Sequence, residues 1–233
     1  MEPLSTYIDM QLSFPFSTNI DVYDIRNFIV HDGNKGVFDF ITSTFIVDSG
    51  IYFLTGAKKS GKTYICNIWH RLKGAVFIDA AIFNLNAEKY ILELEKLFAS
   101  GDKYILENFE LLNINEEYLL QLINGVMDKK ATLLISSTKY VREFDFSIED
   151  LASRLKNIVN FSLNDLSDEY REQIILKLLN DRQMNIDSQT LSYIAKRVSG
   201  SYDVIFNLID KIENKLNSKE IRKISINTIK DLI

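Results

Sequence analysis

The segment from Gly56 to Thr63 has the residue types and the spacing of a phosphate-binding loop. It reads Gly-Ala-Lys-Lys-Ser-Gly-Lys-Thr and matches G-x-x-x-x-G-K-[ST] at every defining position. Such a loop directs free backbone N–H groups and a helix N-terminus toward an anion. We therefore predict a nucleotide site in which Lys62 reaches the β- and γ-phosphates and the Thr63 hydroxyl ligates Mg²⁺. The predicted nucleotide-binding residues are Gly56, Ser60, Gly61, Lys62, Thr63 and Tyr64.

The chain around this loop alternates between apolar strands and helices. The apolar run at 50–55 predicts a strand before the loop, and apolar residues at helical spacing follow it. Further strands are expected at 75–79, 103–107, 131–136 and 157–161, with helices near 90–98 and 116–127. This alternation predicts an α/β fold whose parallel sheet is covered on both faces. After Leu163 the pattern becomes helical, with Ser167 and either Asp187 or Ser188 as helix N-caps, and a short last element is expected at 224–229.

Composition excludes several classes of protein. The chain has 233 residues, a net charge of -5 and 46% hydrophobic residues, which argues against a generally basic nucleic-acid binder. Its single cysteine, Cys66, excludes an internal disulfide and a metal site built on cysteines. With no long apolar run and no leader-like N-terminus, we expect a cytoplasmic protein without a membrane segment.

The other parts of a nucleotide site are incomplete. Glu107, at the end of the third predicted strand, could hold Mg²⁺ through its water shell, or could be an ordinary strand-end acid. Asn108 stands where a carboxylate normally polarises the attacking water, and Glu110 could substitute for it. Thr138, after the fourth strand, is a weak candidate sensor of the γ-phosphate. Arg154, before the fifth strand, either forms a salt bridge with a nearby acid or is offered to the γ-phosphate of a neighbouring subunit.

These segments, in this order, resemble the DnaA-related family of AAA+ ATPases. The resemblance rests on the phosphate loop, the segments 106–110 and 150–155 and the helical tail, and it is closer to the short Hda regulators than to the initiator DnaA. It implies a five-stranded parallel sheet in the order 5-1-4-3-2 and a C-terminal all-helical lid. The expected parts are an N-terminal segment at 1–22, an α/β subdomain at 23–164 and the lid at 165–233. It also implies that Arg154 acts in trans on ATP bound by DnaA.

The N-terminal hexapeptide Gln11-Leu12-Ser13-Phe14-Pro15-Phe16 is similar to the motif with which Hda proteins bind the sliding clamp, the β subunit of DNA polymerase III. An extended peptide of this kind can insert apolar side chains into a groove while an amide bonds at the rim. The alternative is an apolar segment that packs on the domain. The residues expected to bind the clamp are Gln11, Leu12, Phe14 and Phe16.

Two departures from the family concern ATP. Asp203 stands where the lid usually supplies an arginine to the phosphates, and Thr138 stands where initiators have an aspartate. Because a carboxylate repels a triphosphate, these departures predict a protein that holds ADP or hydrolyses ATP poorly.

The function implied is regulation of replication initiation, with ADP or ATP and Mg²⁺ as cofactors. The expected partners are the clamp and DnaA, with DNA contacted only through them, and a homodimer is possible. Two alternatives stay open: an oligomeric AAA+ ATPase such as a helicase loader, and a clamp adaptor without nucleotide chemistry.

Overall fold

A computed structural model describes residues 23–43, 49–221 and 223–233. The clamp-motif hexapeptide at 11–16 therefore lies outside the described residues. Five strands form one sheet in the order β2-β3-β4-β1-β5, and each neighbouring pair runs parallel. This is the predicted order 5-1-4-3-2 counted from the opposite edge, and the predicted α/β fold class is confirmed.

The strands are β1 (Gly50–Gly56), β2 (Val76–Phe77), β3 (Lys103–Leu106), β4 (Thr132–Ser137) and β5 (Val159–Leu163). The helices around the sheet are α1 (Lys35–Thr42), α2 (Lys62–Lys73), α3 (Ala87–Ser100), α4 (Glu116–Asp128) and α5 (Glu149–Lys156). The helices after the sheet are α6 (Asp168–Asp181), α7 (Ser188–Ala195), α8 (Tyr202–Asn217) and α9 (Ile226–Lys230).

Alternate strand residues supply two cores on opposite faces of the sheet. Phe53 and Leu133 belong to a core shared with α3, α4 and α5, whereas Leu54 and Leu134 belong to a core shared with α1 and α2. Strand β4 is buried along its whole length because it lies in the middle of the sheet, between β1 and β3. A sheet covered on both faces leaves the carboxyl ends of its strands as the place where polar loops gather.

Several predicted boundaries were wrong. The fifth strand begins at Val159 and not at Asn157, because α5 continues to Lys156 and Asn157 forms its C-cap. The second strand has only two residues, since β2 lies at the sheet edge and pairs with β3 alone. Helices α1 and α5, of eight residues each, were not predicted.

Helices α6 to α9 share a separate apolar core that includes Ile175, Ile194 and Ile209. Ser167 is the N-cap residue of α6 by position, and Asp187 caps α7 by accepting the Thr190 N–H at 2.8 Å. Among the residues that the structure describes, no helix combines the length and the apolar character needed to cross a membrane.

Candidate phosphate-binding site

The phosphate loop connects the end of β1 to the start of α2, and two of its glycines are required by geometry. A Cβ atom added to Gly56 would lie 2.6 Å from Ser60 Oγ and 2.9 Å from Leu163 Cβ, so no larger residue fits there. Gly61 is the N-cap of α2 and has φ of 101°, a conformation that L side chains rarely adopt. The first N–H groups of α2 are thereby left for an anion.

Lys62 is buried and folds back over the loop. Its Nζ atom donates hydrogen bonds to the carbonyl oxygens of Gly56, at 2.7 Å, and Ala57, at 2.9 Å. Desolvation lowers the pKa of Lys62, and nearby acids oppose this effect, with Glu110 the strongest of them. The loop 56–63 and the buried lysine form what we call the cradle. Neutral carbonyl groups hold the ammonium there, and an anionic phosphate can replace them as a stronger partner.

The other side chains at the loop differ in burial and in direction. Ser60 Oγ is buried and has no hydrogen-bond partner in the described part of the chain, whereas Thr63 is exposed. The side chain of Tyr64 is directed elsewhere, since its hydroxyl donates to the Asp24 carbonyl at 2.8 Å and its ring packs on Phe28. Tyr64 can therefore contribute only backbone to a phosphate.

Glu107 follows β3 and lies near the start of α2. Its Oε1 atom is buried without a hydrogen-bond partner among the described residues. Burial, and after it the charge of Glu107, raises the pKa of the Cys66 thiol, so this cysteine is a buried neutral core residue and not a nucleophile.

The oxygen atoms of Thr63 and Glu107 fit a magnesium ion. Mg²⁺ keeps several waters and needs only one or two protein ligands beside the phosphates. The described residues hold no group of three or more His, Cys, Asp or Glu side chains able to bind a metal alone. Glu107 Oε1, which has no partner among the described residues, is suited to accept a hydrogen bond from a metal-bound water.

The turn after β3 brings Glu110 back to the site. Asn108 is exposed and has φ of 55°, and it precedes a single 3-10 turn at Phe109–Leu111. Thr138 then donates its hydroxyl to Glu110 Oε1 at 2.9 Å, while Glu110 Oε2 is buried without a partner in the described chain. The sequence left the direction of Glu110 open, and the structure turns it toward Thr138, which follows β4.

Hydrogen bonding determines the charge of Glu110. Desolvation, the largest influence, raises the pKa of its carboxyl, but bonds from its own backbone N–H and from Thr138 and Ser137 outweigh it. The net result is a pKa below the usual value for glutamate. Glu110 is therefore ionised at neutral pH.

The first turn of lid helix α8 brings Asp203 to the same region. Asp203, in the first turn of α8, is half-buried, and its charge favours the charged form of Lys62. An acid in this position is also stabilised by the helix dipole. The expectation that Asp203 occupies the position of a family arginine stays a prediction.

Lys59 is a site residue that sequence reasoning missed. It has φ of 65°, and its Nζ atom lies 3.3 Å from Asn207 Oδ1 and 3.7 Å from Asp210 Oδ2. The same ammonium lies over the Phe206 ring, 5.3 Å from its centroid. Lysine at this loop position carries no sequence signal for such contacts, because they depend on how the lid packs.

Arg154 lies on the surface of α5. Its Nε atom donates to both carboxylate oxygens of Asp150, one turn earlier, at 3.0 Å, and its side chain is 41% exposed. The salt bridge considered in the sequence analysis is thus present. An exposed pair of this kind contributes only about 0.5 kcal/mol, so a stronger anionic partner can displace Asp150.

Comparison with solved structures shows which fold this is. The chain superposes on domain III of the replication initiation protein DnaA from Thermotoga maritima with a TM-score of 0.70 and 17% identity, covering 94% of this chain and 98% of that one. For AMPPCP-bound DnaA from Aquifex aeolicus the TM-score is 0.65 at 18% identity, over 87% and 69% of the two chains. For the Thermotoga maritima RuvB branch migration motor it is 0.60 at 15% identity, over 86% and 67%.

No protein-family model matches the sequence, and no curated protein matches it. The sequence-based resemblance to DnaA is therefore supported through three-dimensional structure. The chain shares the fold of domain III of DnaA.

Proposed function

We propose that this chain is a nucleotide-binding AAA+ regulator of chromosomal replication initiation, similar to Hda proteins. The observation that carries the nucleotide part is the cradle around Lys62. Gly56 has no room for a side chain, and Gly61 has a backbone conformation that side chains rarely adopt. Lys62 is buried, and Ser60 Oγ has no partner within the described part of the chain. This combination is suited to binding phosphate. The similarity to DnaA bound to AMPPCP supports the same proposal.

In this proposal the site binds ADP at least as readily as ATP. Asn108 has no basicity with which to activate water, and Asp203 adds negative charge on the lid side of the cradle. Mg²⁺ bound near Thr63 and Glu107 would supply charge neutralisation for the phosphates. In this proposal the protein's own residues hold the phosphates but do not activate a water molecule to attack them. ATP turnover by the isolated chain is therefore expected to be negligible.

In the regulatory part of the proposal, the ATP that is hydrolysed is bound by DnaA and not by this chain. The clamp motif at 11–16 brings the chain to DNA-loaded sliding clamp, and Arg154 is presented to ATP bound in DnaA. Arginine suits this role because its charge is permanent and its donor fork is planar. The exposure of Arg154 on α5 and its weak pair with Asp150 support its availability to a partner.

A reconstituted hydrolysis assay tests this function. Purified DnaA loaded with labelled ATP is incubated with clamp-loaded DNA, with and without this protein, and conversion to ADP is followed. We expect conversion to accelerate only when both clamp-loaded DNA and this chain are present. No acceleration under any combination would exclude the regulatory function and leave the nucleotide part to be judged separately.

The second candidate is an oligomeric ATPase that uses its own site. The observation in its favour is that the fold also superposes on the RuvB motor, at a TM-score of 0.60. Steady ATP hydrolysis by the isolated chain, abolished by Lys62→Ala, would favour this candidate.

A further inference from the structure

The Glu110 carboxylate is fixed at the phosphate end of the site by its surroundings. Its Oε1 atom accepts the Thr138 hydroxyl at 2.9 Å, and its Oε2 atom is buried without a partner in the described residues. The two residues follow neighbouring strands, because Glu110 comes after β3 and Thr138 comes after β4. A carboxylate held in this way has little freedom to move away from an arriving ligand.

Glu110 is also the acid that influences the cradle lysine most. Among the groups that stabilise the charged form of Lys62, Glu110 ranks ahead of Glu107 and Asp203. Ser137, just before Thr138, pairs in register with Thr55, just before the phosphate loop. The Glu110 carboxylate, bonded to Thr138, therefore lies at the end of the sheet where the loop that carries Lys62 begins. The negative charge of Glu110 therefore stands beside the loop that would hold the phosphates.

We propose that Glu110, held in place by Thr138, makes this site select a nucleoside diphosphate over a nucleoside triphosphate. The inference rests on the proposed nucleotide binding and names the residue that determines which nucleotide is preferred. A triphosphate brings additional negative charge toward the fixed carboxylate, whereas a diphosphate ends nearer to Lys62 and the N-terminus of α2. The repulsion therefore weakens triphosphate binding more than diphosphate binding.

The alternative role for Glu110 is that of a general base in place of Asn108. A general base works best when its pKa lies near the working pH. The hydrogen bonds to Glu110 stabilise its ionised form and lower the pKa of this carboxyl, which weakens it as a base. The same bonds keep the Glu110 carboxyl ionised at neutral pH. A permanent negative charge is what selection against a third phosphate requires.

The experiment compares ADP with AMPPCP, a triphosphate analogue, in the full chain at fixed Mg²⁺ and ionic strength. Dissociation constants are measured by titration calorimetry for the parent, Glu110→Gln, Thr138→Val and Thr138→Ser. Asp145→Asn is the matched control, because it removes one exposed negative charge that follows the 3-10 turn at Val141–Glu143, away from the loop. Circular dichroism confirms that each variant is folded.

We expect Glu110→Gln to move the ratio of the two dissociation constants by about tenfold in favour of the triphosphate. Thr138→Val releases the carboxylate and should give a smaller change in the same direction. Thr138→Ser keeps the hydroxyl and should behave like the parent, as should Asp145→Asn.

Each of the following results would overturn the inference. If the parent binds ADP but Glu110→Gln leaves the ratio unchanged, the selectivity role is wrong while the proposed nucleotide binding stands. If the parent binds neither nucleotide, the nucleotide proposal and this inference both fall. Should Glu110→Gln fail to fold, an unchanged ratio in Thr138→Val decides against the inference.

Discussion

Lys59 of the phosphate loop forms an ion pair with Asp210 of lid helix α8, with 3.7 Å between Nζ and Oδ2. Asp210 also pairs with Arg182, at 2.6 Å, and Arg182 in turn reaches Glu213 at 3.2 Å. The loop that would hold phosphate is therefore joined to a charged network on the lid. A change in the loop on binding an anion has a direct route to α8 through one side chain.

The Lys59–Asp210 pair is expected to contribute measurably to stability. In a double-mutant cycle of Lys59→Ala and Asp210→Ala, we predict a coupling energy of about 0.5 kcal/mol, since both side chains are partly exposed. Chemical denaturation at low salt measures it. The matched control pairs Asp210→Ala with Lys58→Ala, the exposed neighbour in the loop, and should show no coupling. Equal coupling in both cycles would mean that only net charge matters.

Replacement of Arg154 should affect the regulation of DnaA but not the binding of nucleotide or clamp. We predict that Arg154→Ala leaves folding, nucleotide binding and clamp binding intact but abolishes stimulation of ATP hydrolysis by DnaA. An arginine supplied to a phosphoryl-transfer site typically contributes on the order of 10³-fold or more. Arg154→Lys should fail as well, because an ammonium cannot reproduce the planar donor fork. The measurement is conversion of DnaA-bound ATP to ADP on clamp-loaded DNA.

Arg142→Ala is the control for Arg154, since Arg142 is an exposed arginine in the preceding 3-10 turn. It should stimulate DnaA normally. If Arg154→Ala retains full stimulation, the assignment in trans fails, and Arg142 and Lys156 become the next residues to test.

The hexapeptide at 11–16 should account for clamp binding. Replacing Leu12, Phe14 and Phe16 with alanine removes the apolar anchors, and deep anchors are each worth about 2 kcal/mol or more. Affinity for the purified clamp should therefore fall at least tenfold, measured by surface plasmon resonance, with little change in melting temperature. A control with Tyr7→Ala and Ile8→Ala changes the same segment outside the motif. Unchanged clamp affinity in the triple variant, or its unfolding, would mean that the segment is structural.

His31 should make stability depend on pH. Its Nδ1 atom accepts the Gly33 N–H at 3.1 Å, so the neutral ring donates from Nε2 to the Tyr202 hydroxyl at 2.8 Å. Desolvation lowers the pKa of His31, although Asp32 opposes this, so the unfolded chain binds the proton more readily. The contribution of His31 is complete above its unfolded pKa of about 6.5 and is lost as the pH falls below that value.

Comparison of the parent with His31→Gln isolates this effect. The melting temperature of the parent should fall more steeply between pH 7.5 and pH 5.5 than that of the variant. Parallel curves would show that the imidazole does not titrate differently in the folded and unfolded chain.

The sequence predicted the parts of this molecule that follow from local pattern. The phosphate loop is defined by fixed residue types, and the sheet order follows from five apolar runs and the family resemblance. Boundaries near short elements were less predictable, because the start of β5 depends on where α5 ends at Asn157. Helix propensity and strand propensity compete there, and tertiary packing decides between them.

The predicted site residues were harder to place than the loop. Glu110 and Thr138 are 28 positions apart in sequence and meet only because β3 and β4 are neighbours in the sheet. Lys59 meets α8 across 148 positions. Such contacts have no periodicity from which they could be predicted, so the sequence indicated candidate residues and the fold determined their partners.

The most direct test of the account is the nucleotide affinity of the isolated chain. Calorimetric titration with ADP and with AMPPCP, together with an ATP turnover assay, should show ADP bound at least as tightly as the triphosphate and negligible hydrolysis. Lys62→Ala should abolish binding of both, because it removes the buried cation from the cradle, whereas Lys58→Ala should bind like the parent. Steady turnover by the parent that Lys62→Ala abolishes, or ADP binding that survives Lys62→Ala, would contradict the account.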